Sequence, residues 1–374
     1  MVLSLVLVLG AIASAQTAPT TTTPPTVSST APATPAPNGQ AATTAPTANN
    51  PLAKAVAAKT PEEQAKQSGI QLITTLDHYL GVGTFVDARY YSYLAAWLTI
   101  MPQYQFTIGK QHFAASATIR GSFEYTLPDA ETGRRWGWSD LSLGFAAPAA
   151  FKEKLTGISF TPSVGLTLPA SIESWNAGLI TALRGGVTAS RSVATVDFRA
   201  NVSVSGSIYG QQVNGYRNPT LTGNSLPTDK SGNLLLVCRP GESLCGVSNN
   251  NPSVTLSVGG QVQWRATGSF LLYVGYTYIR GWRYSTNTQQ DEFTPKALDA
   301  NGNPVARVGM GSFDRTSAYF GGSYQLNEHY SLDLGVSTVQ TPLTPTGQVR
   351  FPFLSFGTWA DNGTNLYFTF SAGY

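Results

Sequence analysis

The chain has few side chains suited to making or breaking bonds and many suited to lining a polar passage. Histidine occurs three times, as His78, His112 and His329, and cysteine twice, as Cys238 and Cys245. Neither cysteine has a further cysteine or histidine close by in sequence, so no zinc set forms; no phosphate-loop or EF-hand pattern occurs either, and no metal or cofactor is expected. His112 and Ser116 share a parity, but four residues of extended chain separate them by about 13 Å, too far for a base and its nucleophile. Charges instead recur at alternate positions. From Ala194 to Ile208, the apolar Val196, Phe198, Ala200, Val202, Val204 and Ile208 alternate with Asp197, Arg199, Asn201, Ser203, Ser205 and Ser207. A period of two is an extended strand with one apolar and one polar face. Extending the alternation along the chain puts Arg120, Glu124, Asp140, Arg184, Asp197, Arg199, Gln261, Gln263, Arg265, Arg315, Gln325 and Asp333 on polar faces. In a confined lumen, fixed charges of both signs shape the field and orient a polar solute. The same groups also serve a closed wall, paired as internal salt bridges.

Such strands build either a soluble sandwich, with the apolar face inside, or a membrane barrel, with the apolar face in lipid. Several features favour the barrel. Val2–Ile12 is an uncharged apolar run followed by Ala13-Ser14-Ala15, the h-region and A-x-A site of an export signal, so residues 1–15 read as a signal peptide. That run is too short to span a bilayer as a helix. Only 11% of residues are charged, whereas 17 Tyr, 17 Phe and 7 Trp are available for packing. No later stretch is long and apolar enough for a spanning helix. An exported chain rich in strands and aromatics fits the Gram-negative outer membrane. The net charge of +3 over 374 residues gives no basis for a nucleic-acid partner. Export also exposes Cys238 and Cys245 to an oxidising compartment, so a loop disulfide is the expected state.

Residues 16–58 are dominated by Thr, Ala and Pro, and Thr17–Ala53 carries no charge. This segment cannot bury enough apolar surface to offset the entropy of ordering, so it reads as a disordered tether. Thr60-Pro61-Glu62-Glu63 forms a capping box and predicts a short helix over 59–69. The barrel is then expected over 70–374. Eleven strands are clear, from Ser92–Thr107 to Asn365–Tyr374. Gly109-Lys110, Ser190–Val193, Thr267-Gly268 and Asn327–Glu328 read as tight turns. Pro128–Gly137, Gly210–Pro252, Ser285–Asp314 and Thr341–Thr364 read as long polar loops. Short turns on one side and long loops on the other mark outer-membrane barrels. Even strand number, with both ends in the periplasm, requires one more crossing before Tyr90, and Ile70–Val86 is the only candidate. Leu76, Tyr79 and Leu80 in it also fit helical spacing, so the alternative is a helix threading the lumen. The expected fold is all-β: an antiparallel transmembrane β-barrel of twelve strands, within a range of ten to fourteen. Tyr104 and Phe106 on the turn side, and Trp138, Trp282 and Tyr284 on the loop side, fit interfacial girdles.

At the carboxyl terminus Leu366, Phe368, Phe370, Ala372 and Tyr374 alternate with Tyr367, Thr369, Ser371 and Gly373. This resembles the terminal assembly signal of bacterial outer-membrane β-barrel proteins, carried by Leu366, Phe368, Phe370 and the aromatic Tyr374. The resemblance implies residence in the outer membrane, contact with its lipid, and recognition by the barrel-assembly machinery. His329-Tyr330-Ser331 resembles the His-x-Ser of the outer-membrane phospholipase. His329 falls at a tight turn, however, and no Asn lies at the matching distance downstream, so an enzyme is disfavoured. The function these features imply is porin-like passage of small polar solutes through a mixed-charge lumen. The alternative is a non-conducting structural or adhesion barrel that binds partners through its loops.

Overall fold

Twelve strands follow one another around the sheet, each pairing antiparallel with the strands before and after it in sequence. The computed structural model describes residues 69–81, 94–125, 136–210, 213–217, 237–238, 244–284, 297–298, 304–305, 311–343, 347–354 and 363–374. The strands are β1 Gly69–Gly81, β2 Leu94–Ile108, β3 Gln111–Glu124, and β4 in two pieces, Trp136–Trp138 and Leu141–Ala146. Then come β5 Ser159–Leu168, β6 Leu179–Val193, β7 Val196–Tyr209, β8 Pro252–Arg265 and β9 Phe270–Arg283. The last are β10 Ser312–Gln325, β11 Tyr330–Gln340 and β12 Gly363–Gly373. The sheet closes where β1 pairs with β12, from Ile73 opposite Gly373 to Gly81 opposite Asn365. Leu72 and Tyr374 exchange both backbone hydrogen bonds, at 2.8 and 3.0 Å. Each of the twelve strands is thus paired on both sides, as a hydrocarbon surround demands, although the first piece of β4, Trp136–Trp138, pairs with β3 alone.

Residues 70–81 are therefore strand, not a helix threading the lumen. Their helical spacing loses because β1 gains a ladder on each side, with β2 and β12. Gly69 already belongs to β1, one residue before the expected barrel start and inside the expected helix. The signal peptide, the tether and residues 59–68 lie outside the described residues. The segment expected to turn over Ser190–Val193 stays in β6 to its end, and the turn is made by Ala194-Thr195, with Ala194 at φ 52. Gly109-Lys110, residues 266–269 and residues 326–329 make the other tight connections on that side. β1 begins and β12 ends there too.

The outward face carries a broad apolar belt around the wall. Leu76, Leu98, Phe145, Val164, Leu183, Phe198, Val202, Val204, Val258, Leu272, Val274, Phe320, Leu334, Leu366 and Phe368 are all exposed, with Val164 at 59% and Val202 at 50%. A soluble protein does not leave so large an apolar surface uncovered, whereas lipid requires it. Trp138 and Trp282 at the loop end and Tyr104 at the turn end are exposed. Tyr284 differs: it is half-buried and its hydroxyl donates to the Ser207 carbonyl at 2.8 Å.

Among the described residues the loop side carries small sheets and a short helix. Val213–Arg217, Leu244–Asn250 and Val237–Cys238 form a three-stranded sheet in which Cys238 stands directly opposite Cys245. A short helix, α1, spans Ile172–Asn176, with Ser171 as N-cap accepting from the Ser174 amide at 3.1 Å.

Candidate functional site

The candidate site is the lumen, because that is where alternation directs the ionisable side chains. Arg120 on β3 donates to Thr99 Oγ1 at 3.0 Å and lies over the Trp97 ring at 5.7 Å. Glu124 ends the same strand with the same inward parity. Arg184 on β6 donates to Ser203 Oγ of β7 at 3.0 Å. Asp197 on β7 is 5% exposed and accepts from Arg265 of β8 at 2.9 Å and from Ser192 at 2.5 Å. Arg199 is the next inward residue on β7, opposite Gln261 of β8. Gln263 stands between Asp197 and Tyr273 in the register and is fully buried; its amide atoms have no protein hydrogen bond among the described residues. Arg315 on β10 and Asp333 on β11 also face inward, and Asp333 is 1% exposed. Gln325 shares the inward parity at the turn end of β10.

Asp140 takes a different role from its neighbours in that set. β4 carries a bulge at Ser139-Asp140: Gly121 pairs with Trp138, but Thr118 pairs with Ser142. The extra residue lets Trp138 and Leu143 both face out although their parities differ, a switch that unbroken alternation from Trp138 to Ala147 does not anticipate. At the bulge, Asp140 Oδ1 accepts the Ala170 and Ser171 amides at 3.0 and 2.9 Å, and Oδ2 accepts Ser174 Oγ at 2.5 Å. Asp140 thus fastens α1 to the wall, its charge spent on the helix start.

Several lumenal residues were not singled out from sequence. Asp77 on β1 is 7% exposed and accepts from Thr369 Oγ1 at 2.6 Å. Its signal was the alternation of Gln71, Ile73, Thr75 and Asp77 with Ile70, Leu72 and Leu76, masked by the competing helical spacing. Arg283 lies 4.9 Å from the Phe313 ring centre, and Arg315 lies 5.6 Å from the same ring. A third group is aromatic. Tyr273, Tyr319, Tyr367 and Phe313 face inward, and each stands directly opposite an inward glycine: Gly321, Gly275, Gly335 and Gly281 respectively. A Cβ on Gly275 would lie 2.3 Å from the Tyr319 ring, and one on Gly281 would lie 2.2 Å from Phe313. The rings therefore lie over the glycine backbone of the neighbouring strand instead of standing into the lumen. Tyr273 and Tyr367 meet hydroxyl to hydroxyl at 2.7 Å. Register alone creates these pairs.

The lumen is uneven around its circumference. Inward Thr75, Asp77, Tyr319, Asp333, Tyr367, Thr369 and Ser371, on β10–β12 and β1, are all buried. Inward Ser142, Ser163 and Arg184, on β4–β6, are exposed. Charge is uneven as well. Arg184, Arg199 and Arg265 occupy the adjacent strands β6–β8 with one acid, Asp197. The facing strands β11–β1 carry Asp333 and Asp77 and, among the described residues, no inward base.

His329 sits at the β10–β11 turn. Its Nδ1 lies 2.9 Å from the Gly373 carbonyl and its ring stacks on Tyr374 at 5.5 Å. Ser331 points into the lumen and is 2% exposed. The two side chains do not form a hydrogen-bonded pair.

No protein-family model matches the chain, and no curated protein matches it in sequence. Solved structures do. An outer-membrane channel of Pseudomonas putida F1 aligns at 8% identity and TM-score 0.46, covering 82% of this chain and 96% of the other. The NanC porin aligns at 9% identity and TM-score 0.40, covering 80% and 98%. The translocator domain of the autotransporter NalP from Neisseria meningitidis aligns at 11% identity and TM-score 0.37, covering 88% and 96%. Likenesses at this level concern the barrel architecture and nothing finer.

Proposed function

We propose that this barrel sits in a bacterial outer membrane, with its turn side in the periplasm, and passes small polar solutes through its lumen. One observation carries the reading: Ser142, Ser163 and Arg184 point into a closed wall and are nonetheless exposed. A solvent-reachable strip along β4–β6 is what a permeating solute needs. The basic wall of β6–β8 facing the acidic wall of β11–β1 supports a field across the lumen, which favours solutes carrying both signs of charge or a large dipole. Among the described inward residues, Arg120, Arg184, Arg199, Arg265, Arg283 and Arg315 outnumber Asp77, Glu124, Asp140, Asp197 and Asp333 by one. Ion preference is therefore weakly anionic and fades as salt screens it. Nothing in this mechanism calls for a catalytic group.

The test is reversal potential across a planar bilayer under a salt gradient. The wild-type protein gives a small anion preference. Arg199→Ser moves it toward cations, and Asp197→Asn moves it further toward anions. Strong cation selectivity in the wild type contradicts the reading. A second reading, a non-conducting structural or adhesion barrel, is favoured by the burial of inward Thr75, Asp77, Tyr319, Asp333, Tyr367, Thr369 and Ser371 on β10–β12 and β1. Absence of conductance in correctly folded protein selects it.

A further inference from the structure

The outward face of β11 and β12 changes chemistry at its loop end. Thr338, Gln340 and Thr364 share the parity of the lipid-facing Leu334 and Leu366, so they point out of the barrel. Yet they are 0%, 2% and 2% exposed. They are covered by the chain that follows β11. Thr338 Oγ1 donates to the Phe353 carbonyl at 3.0 Å, and Gln340 Nε2 donates to the Phe351 carbonyl at 2.7 Å. Leu343 bridges to Val349, and the Arg350 amide donates to the Pro342 carbonyl at 3.0 Å, so the segment doubles back on itself. It lies against the outer wall instead of rising from the rim. Its far side carries apolar groups: Leu343 is 49% exposed, Val349 84% and Phe351 67%. Two residues further along β11 and β12, the same face becomes an apolar groove of about 670 Å³, whose walls include Phe320, Leu334, Val336 and Leu366.

We infer that residues 342–343 and 347–353 form a foot that rests in the lipid of the loop-side leaflet, with Val349 and Phe351 at the boundary between headgroups and acyl chains. Three observations select lipid as the occupant. The foot is continuous with the apolar belt that lipid covers. The polar side chains beneath it already donate to its own carbonyls, so the backbone at the contact brings fewer bare acceptors into the membrane. The apolar Leu343, Val349 and Phe351 are turned away from the wall, with the polar Gln348 among them, as in an interfacial anchor that mixes apolar and polar groups. This inference rests on the reading of the barrel as membrane-embedded.

Spin labels test it in the full chain, refolded into phosphatidylcholine–phosphatidylglycerol vesicles with Cys238→Ser and Cys245→Ser as background. Labels are placed at Val349→Cys, at Val202→Cys in the belt, and at Ala150→Cys in an exposed turn. Collisions with oxygen and with a water-soluble nickel chelate are compared. The expected oxygen-to-nickel ratio at 349 lies well above that at 150 and nearer that at 202. A ratio at 349 equal to that at 150, with 202 still favouring oxygen, overturns this inference alone. Nickel access at both 349 and 202 overturns the membrane reading. Spin–spin broadening at 349 means that a second copy occupies the face, and also overturns the inference.

Discussion

A single glycine decides where a lumenal ring lies. Tyr319 lies over Gly275 on the neighbouring strand, and the atoms that a Cβ there would strike all belong to the tyrosine side chain. Gly275→Ala therefore forces the ring off the wall and into the lumen. The cost is about 1–3 kcal/mol of overpacking, read from the urea midpoint of the refolded barrel, and conductance falls with it. Tyr319→Ala in the Gly275→Ala background restores conductance. Loss of conductance that Tyr319→Ala does not repair would show that the backbone, not the ring, had moved. Gly335 offers the contrast. A Cβ there meets the Phe320 carbonyl at 2.4 Å as well as the Tyr367 hydroxyl at 2.5 Å, so no change at Tyr367 relieves it.

Within an element, neighbouring residues meet opposite solvents. On β5, Val164 faces lipid and Ser163 faces the solvent-reachable strip. Val164→Arg should cost about 2–4 kcal/mol if the site lies near the bilayer midplane. Ser163→Arg should cost far less and should shift the reversal potential toward anions. Equal costs, measured by equilibrium unfolding in vesicles, would mean that the wall does not separate lipid from water. On the loop side, the sheet register sets Cys238 directly opposite Cys245. Directly opposed residues of an antiparallel pair have Cα atoms about 4.5–5.5 Å apart, within the span of a disulfide. We propose that the bridge forms and closes a loop of eight residues, worth roughly 2–3 kcal/mol to that loop on a chain-entropy estimate. Maleimide should label neither thiol before reduction and both after it, and Cys238→Ser should leave barrel assembly intact. Labelling without reductant would refute the bridge.

For the whole molecule, closure is the decisive event. Without β1, strands β2 and β12 would each present an unpaired edge to lipid, at several kcal/mol for every unsatisfied backbone group. Deleting residues 69–81 should abolish the folded, heat-modifiable form on SDS gels. Deleting residues 16–58 should leave that form and its conductance in place. A folded barrel lacking 69–81 would mean that closure does not require β1. The two walls of the lumen also belong to this scale. β7 and β1 stand six strands apart among twelve, so Arg199 and Asp77 occupy opposite sides although no count of charges reveals it.

Sequence alone determined what depends on side-chain order along one strand. The alternation at Phe198, Val202 and Val204 set which face meets lipid, because a period of two leaves a strand no other choice. Loop lengths and even parity set the strand number, including a first crossing whose own residues also fit a helix. What depends on register between strands was not legible. The Tyr319–Gly275 and Tyr367–Gly335 pairs, the bulge that gives Asp140 to α1, and the fold-back of Phe351 and Phe353 onto Gln340 and Thr338 join residues from 11 to 44 positions apart. The ring–glycine partners are chosen by backbone ladders, which bond through atoms common to every residue, and the Asp140, Thr338 and Gln340 contacts by where distant chain comes to lie, so no local pattern records either.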